Sequence, residues 1–193
     1  MTIASVCTGT GALDMAVQEV FGGDLIWIAD NDPAASVLLE HHFPGIPNLG
    51  DISQVRWKNI ERPDILCGGF SCQNVSCAGD RTGLSGKKSS VWRYFFRAIK
   101  VLRPDLVVIE NVRGLTSAKA DSGLEYCRGC MGNDPDRTVR ALGAVLGDLA
   151  GIGYDAQWDC VRASDRGAPH KRERVVILAW PSDPDPAGLE RAD

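Results

Sequence analysis

A cysteine in a glycine-rich loop is the first residue of this 193-residue sequence that invites a chemical reading. Cys72 lies in Gly68-Gly69-Phe70-Ser71-Cys72-Gln73, directly after the β-prone run Asp64–Cys67. Backbone amides of such a loop, or a nearby cation, lower a thiol pKa and make the thiolate available as a nucleophile. A free Cys is just as commonly a small buried hydrophobe, and Cys67, inside the apolar run, fits that description. A second candidate is Glu110-Asn111, where a carboxylate at a strand end could act as an acid or hydrogen-bond partner for a bound base. The alternative there is a capping or surface Glu. Arg172-Glu173-Arg174 enters the last apolar run. Strand alternation would put Arg172 and Arg174 on one face, where two guanidinium groups suit phosphate or base oxygens. Gly9 and Gly11 separate a strand from a helix and let the backbone approach a ligand near a helix N-terminus. Asp30, some twenty residues on, could accept hydrogen bonds from ribose hydroxyls. The full three-glycine dinucleotide pattern is missing, so a tight structural turn explains Gly9 and Gly11 equally well. Cys127 and Cys130 form a CxxC that could be half of a zinc site. No second pair lies nearby, so no metal is assigned and these two remain zinc candidates only.

These residues need elements to hold them. Apolar runs at Ile3–Cys7, Leu25–Ala29, Asp64–Cys67, Leu106–Ile109, Tyr154–Val161 and Val175–Ala179 read as strands. Helical character is expected over Ala12–Phe21, Val91–Leu102 and Val139–Leu149, with Leu13, Ala16, Val17 and Val20 forming the core face of the first helix. Alternation of this kind predicts an α/β domain with a mainly parallel sheet and helices on both faces. Ligand sites in such sheets gather beyond the carboxyl ends of the strands. The polar and glycine-rich stretches 7–11, 30–32, 68–73 and 110–114 all sit there. A catalytic and cofactor-binding domain is expected over 1–180, with 117–137 as a polar excursion and 181–193 as a linker or frayed tail.

Composition narrows the class. Apolar residues make up 44% and charged residues 24%, as in ordinary globular proteins. No apolar run reaches membrane-span length and no basic-then-apolar leader opens the chain, so no membrane association and a cytoplasmic location are expected. The odd number of Cys, 7 in all, favours reduced thiols. A net charge of −4 excludes nucleic-acid binding by bulk electrostatics and leaves it to local patches. One patch gathers Arg162, Arg166, Lys171, Arg172 and Arg174. Another, from Arg81 to Arg103, includes Lys87, Lys88, Arg93, Arg97 and Lys100. As charge alone, each reads as a solvated face.

Taken together and in order, the loops resemble the bacterial cytosine-C5 DNA methyltransferases, over about residues 3–180. Cys7-Thr8-Gly9-Thr10-Gly11-Ala12-Leu13-Asp14 looks like the family's first cofactor loop. Asp30-Asn31 and Gly50-Asp51-Ile52 resemble the next two cofactor contacts. Residues 68–79 (GGFSCQNVSCAG) resemble the nucleophile loop, Glu110-Asn111-Val112 the ENV element, and residues 166–174 (RGAPHKRER) the late arginine motif. The resemblance implies a Rossmann-like S-adenosylmethionine-dependent methyltransferase fold and double-stranded DNA with a flipped cytosine as substrate. It implies Cys72, Glu110, Arg172 and Arg174 as catalytic residues. Cofactor contacts would come from Cys7, Thr8, Gly9, Thr10, Gly11, Leu13, Asp30, Asn31, Asp51, Ile52, Gly69, Ser71 and Val91, and DNA or base contacts from Gln73, Ser76, Asn111 and Arg113. Three residues depart from the family pattern. Ser71 replaces a Pro that would restrain the loop, Cys7 replaces an aromatic that would stack on adenine, and His170 replaces a Gln. The family normally continues into a DNA-reading domain and a final motif, so a second polypeptide or a further segment carrying them is expected. The competing expectation is a non-catalytic binding remnant of the same family.

Overall fold

The computed structural model describes residues 1–70, 90–117 and 141–182. The loop residues Ser71, Cys72, Gln73 and Ser76, the Cys127/Cys130 pair and the tail beyond residue 182 lie outside them.

Six strands form one sheet: β1 (Thr2–Val6), β2 (Asp24–Ala29), β3 (Ile65–Gly69), β4 (Leu106–Val112), β5 (Tyr154–Arg162) and β6 (Glu173–Pro181). Their order is β2-β1-β3-β4-β6-β5. β1 pairs in parallel with both β2 and β3, and β3 in parallel with β4. β6 is inserted antiparallel between β4 and β5. The sheet is mainly parallel, as expected: five strands run in one direction, and β6 alone is reversed because a short connection from β5 turns the chain back. The chain leaves β1 toward β2 on one side and returns to β3 on the other. A crevice must open where these connections part, beyond the ends of β1 and β3.

Side chains alternate between two cores, as strand geometry requires. Ala4, Val6, Leu66, Val107 and Ile109 face one core, under the helices α3 (Ser90–Leu102) and α4 (Ala141–Gly151). Ile3, Ile65, Cys67 and Val108 face the other, under α1 (Ala12–Phe21) and α2 (Pro33–His42). Both faces of the sheet are thus covered. Cys67 is wholly buried, as its place in an apolar run suggested. On the first face the α3 and α4 layer is pinned by a polar clip, Trp92 Nε1–H donating to Asp148 Oδ2 at 2.7 Å. No described helix is long and apolar enough to cross a membrane.

The structure corrects several expectations. α2 is a helix missing from the sequence reading. Asp32 caps it by accepting from the Ala35 N–H at 2.8 Å, and Pro33 starts it. β4 does not stop at Glu110-Asn111 but runs to Val112, because β6 supplies partners as far as Arg174. On α1, Val17 is buried, but Ala16 and Val20 are exposed, and the buried companion is the charged Asp14. Arg172 lies before β6 with φ 27, so strand alternation does not relate it to Arg174.

Candidate active site

A cleft of about 960 Å³ opens at the crevice between β1 and β3. From the expected cofactor set it is lined by Cys7, Thr8, Gly9, Thr10, Leu13, Asp30, Asn31, Asp51, Ile52, Gly69 and Val91, and from the expected catalytic set by Glu110 and Arg172. Ser5, Asp14, Phe70 and Tyr94 also line it, although the sequence reading assigned them no ligand role. Gly11 does not reach the cleft. It is buried against α2, where an added Cβ would lie 2.6 Å from Phe43 Cε2, and its φ of +78 is a second reason for glycine. That position supports the loop rather than the ligand.

The cofactor-side wall is built by short polar braces. Asp30 Oδ2 accepts the Gly9 N–H at 2.7 Å, and Oδ1 accepts the Asp32 N–H at 2.9 Å. Each carboxylate oxygen can accept a further donor. Asn48, which the sequence reading overlooked, clamps this corner. Its Oδ1 accepts from the backbone N–H of Asp30 and of Gly50, while its Nδ2 donates to the Asp30 carbonyl. Its one signal in the sequence is an Asn two residues before a Gly-Asp turn. On the other side of the loop, the Thr10 carbonyl accepts from His42 Nδ1 at 3.1 Å. Cys7 (φ 53) sits between Asp30 and Asp51, and burial followed by these two charges pushes its thiol up to about 12. Cys7 is therefore a neutral wall residue at ordinary pH.

The opposite end of the cleft is set by strand register. Gly69 and Glu110 are paired across β3 and β4. A Cβ on Gly69 would meet Glu110 Oε2 at 3.2 Å, so glycine there lets the carboxylate lie against the backbone. Arg174, on β6, reaches across to Glu110 with Nε 2.6 Å from Oε1. Asn111 was expected to contact DNA or a base. It is 2% exposed instead, with Nδ2 donating to the Phe70 carbonyl at 3.2 Å. It therefore anchors the backbone two residues before Cys72. Arg113, a second expected DNA contact, is ion-paired with Glu173 at 2.5 Å. Glu173 also takes Arg162, and the two arginines hold its carboxyl below the usual range. No cluster of three or more metal-binding side chains occurs among the described residues.

The described lining carries four carboxylates (Asp14, Asp30, Asp51 and Glu110) and one cation, Arg172. Such a balance suits a ligand with positive charge near its centre and hydroxyl groups to donate.

The fold and the placement of this cleft define an S-adenosylmethionine-dependent methyltransferase fold. Among solved structures the chain is similar to S. pombe Dnmt2 methyltransferase (TM-score 0.70, 17% identity, covering 98% of this chain and 53% of that one). It is similar also to Entamoeba histolytica methyltransferase EhMeth (TM-score 0.72, 14% identity, covering 98% and 55%). Residues 1–190 match the C-5 cytosine-specific DNA methylase family, and the chain belongs to it. Among curated relatives it is 29% identical over 162 residues to the type II methyltransferase M.NlaIV of Neisseria lactamica, covering 83% of this chain and 36% of the relative. It is 28% identical over 175 residues to M.HhaI of Haemophilus parahaemolyticus, covering 91% and 47%. The chain thus spans less than half the length of these two relatives.

Proposed function

We propose that this chain carries the cofactor cleft and the base-activating residues of an S-adenosylmethionine-dependent DNA cytosine-C5 methyltransferase. The observation that carries the reading is one continuous cleft in a member of this family. It joins an acidic, hydroxyl-accepting wall (Asp30, Asp51) to Glu110, which Arg174 pairs from β6, and it includes Phe70, two residues before Cys72 in the sequence.

The wall fits the cofactor by charge, since its carboxylates match a sulfonium cation and Asp30 retains acceptor capacity for ribose hydroxyls. When bound, the cofactor supplies an electrophilic methyl group. Cytosine C5 is a poor nucleophile, and the protein's part is to make it a better one. The Cys72 thiolate adds to C6 and forms a C–S bond, and the C5=C6 electron pair moves toward C5. Glu110 protonates or hydrogen-bonds N3, and Arg174 holds O2, where negative charge develops. Once C5 carries the methyl group, a base, assigned here to a positioned water, removes the C5 proton. The electron pair then re-forms C5=C6 and expels the thiolate. The cytosine must leave the DNA stack to reach these groups. Because the chain covers 36% to 52% of the length of the curated relatives it matches, DNA reading is assigned to a further segment or a second polypeptide.

Trapping on DNA containing 5-fluorocytosine tests the reading, since fluorine at C5 cannot leave as a proton and the thiolate stays attached. With cofactor and a complementing DNA-reading polypeptide, the expected result is a denaturation-resistant adduct that Cys72→Ser abolishes. Cofactor binding without any adduct under those conditions would favour the non-catalytic binder.

A further inference from the structure

One titratable side chain at the cleft takes no part in the chemistry above. Asp14, in the first turn of α1, lines the cleft yet is only 1% exposed. Its Oδ2 has no hydrogen-bond partner among the described residues. The groups around it are polar and uncharged. The Cys67 thiol, from β3, approaches Oδ1 at 3.9 Å, and the Ser5 hydroxyl, from β1, lies near enough to temper the effect of burial on the carboxyl. Ser5 Oγ lies 2.8 Å from Thr8 Oγ1, and Thr8 also lines the cleft. No cation among the described residues pairs with Asp14. A helix N-terminus tolerates a carboxylate in the first turn, but that does not explain a buried oxygen left without a donor beside an acidic ligand cleft.

We propose that Asp14 is a positioning residue that reads the charge of the ligand. The positive sulfonium of the cofactor is balanced by the Asp14 carboxylate, which releases its proton to solvent as the ligand enters. The uncharged thioether of the demethylated product leaves the carboxyl protonated. The inference rests on the reading that this cleft holds a sulfonium cofactor. Burial, which outweighs the hydrogen bonds from Ser5, its own backbone N–H and Cys67, raises the Asp14 carboxyl above its ordinary 3.8, in the direction of the neutral acid. The other groups nearby are not equivalent proton sources. Burial pushes Cys67 well above its ordinary value, and Cys7 stands at about 12, so both stay thiols. Asp30, Asp51 and Glu110 face the cleft from other elements, and Arg172 is its one described cation. A device of this kind holds the charged cofactor and lets the neutral product go.

Calorimetric titration of the 193-residue chain with S-adenosylmethionine, and separately with S-adenosylhomocysteine, tests this in two buffers of different ionisation enthalpy. Proton release is expected with the first ligand and not the second, and the affinity of the first should rise with pH. Asp14→Asn should abolish the release and shrink the preference for the charged ligand by roughly tenfold, the equivalent of about one pKa unit of coupling. Equal release by both ligands, or release that survives in Asp14→Asn, overturns the inference and leaves the cofactor reading intact. Absence of binding by either ligand overturns both. Should Asp14→Asn fail to fold, infrared difference spectra of the unmodified chain decide. A protonated-carboxyl band lost only with the charged ligand supports the inference, and an unchanged band refutes it.

Discussion

The two ends of the cleft handle charge in opposite ways. At the β1–β2 end, Asp14, Asp30 and Asp51 face the ligand space without an ion pair among the described residues. At the β4–β6 end, Glu110 and, outside the lining, Glu173 each have a guanidinium. Glu110 pairs with Arg174, and Glu173 holds both Arg113 and Arg162. An uncompensated acidic wall gains from the arrival of a cation. A compensated pair has little net field until a neutral, polar base offers each partner a better-placed contact. On the proposed function, this contrast lets one cleft hold a charged cofactor and still admit an uncharged base beside it.

Removing the carboxylate of the compensated end should have the largest effect. Glu110→Gln is expected to lower the methylation rate by about 10²–10⁴-fold, measured with the complementing DNA-reading polypeptide, while calorimetric cofactor affinity stays nearly constant. Equal loss of both would erase the distinction between the two ends. At the acidic end, Asp30→Ala removes the acceptor for the Gly9 N–H and, on the proposed function, a partner for the ribose hydroxyls. Cofactor affinity should fall roughly 10- to 100-fold, as for a lost charge-assisted hydrogen bond, whereas 5-fluorocytosine trapping at saturating cofactor should survive.

The junction of the two ends gives a stability test. An added Cβ at Gly68 would lie 2.3 Å from the Val6 carbonyl oxygen. Gly68→Ala must push β1 and β3 apart and should cost about 1–3 kcal/mol in denaturant unfolding, as overpacking does. Asp14→Asn should act in the opposite sense. Because the folded carboxyl is raised above 3.8, its contribution to stability is full below that value and is lost as pH rises through the folded value. Above that window the Asn variant should melt higher than the parent, and the gap should close toward acid. The smallest effect is expected for Arg113→Ala. Glu173 keeps Arg162, exposed pairs contribute little, and the melting temperature at neutral pH should hardly move. Glu173 is held below its ordinary 4.5 by Arg113 first and then Arg162. What stability it adds is therefore present above that value and lost on acidification, and less is lost in the variant.

Local signals in the chain account for much of this molecule. All six strands, and three of the four α-helices among the described residues, follow from apolar runs and helical spacing, with β4 and β6 longer than expected. The glycine-flanked loops at the strand ends, with Asp30 and Glu110 placed on them, were legible because turn chemistry and strand termination are written in adjacent residues. α2 was missed because its apolar face is weak and its start rests on an Asp-Pro pair. Asp14 left one trace, a charge between Leu13 and Val17 on the buried side of α1.

Pairing across the sheet had to come from the tertiary structure. That Gly69 lies beside Glu110, that Arg174 reaches Glu110 while Arg113 is spent on Glu173, and that Asn111 turns inward to Phe70 all depend on register between strands distant in sequence. Residue types and spacing determined which groups this protein has for its chemistry. Register and burial decided which of them meet, because both are set by packing over the whole sheet and not by neighbours along the chain.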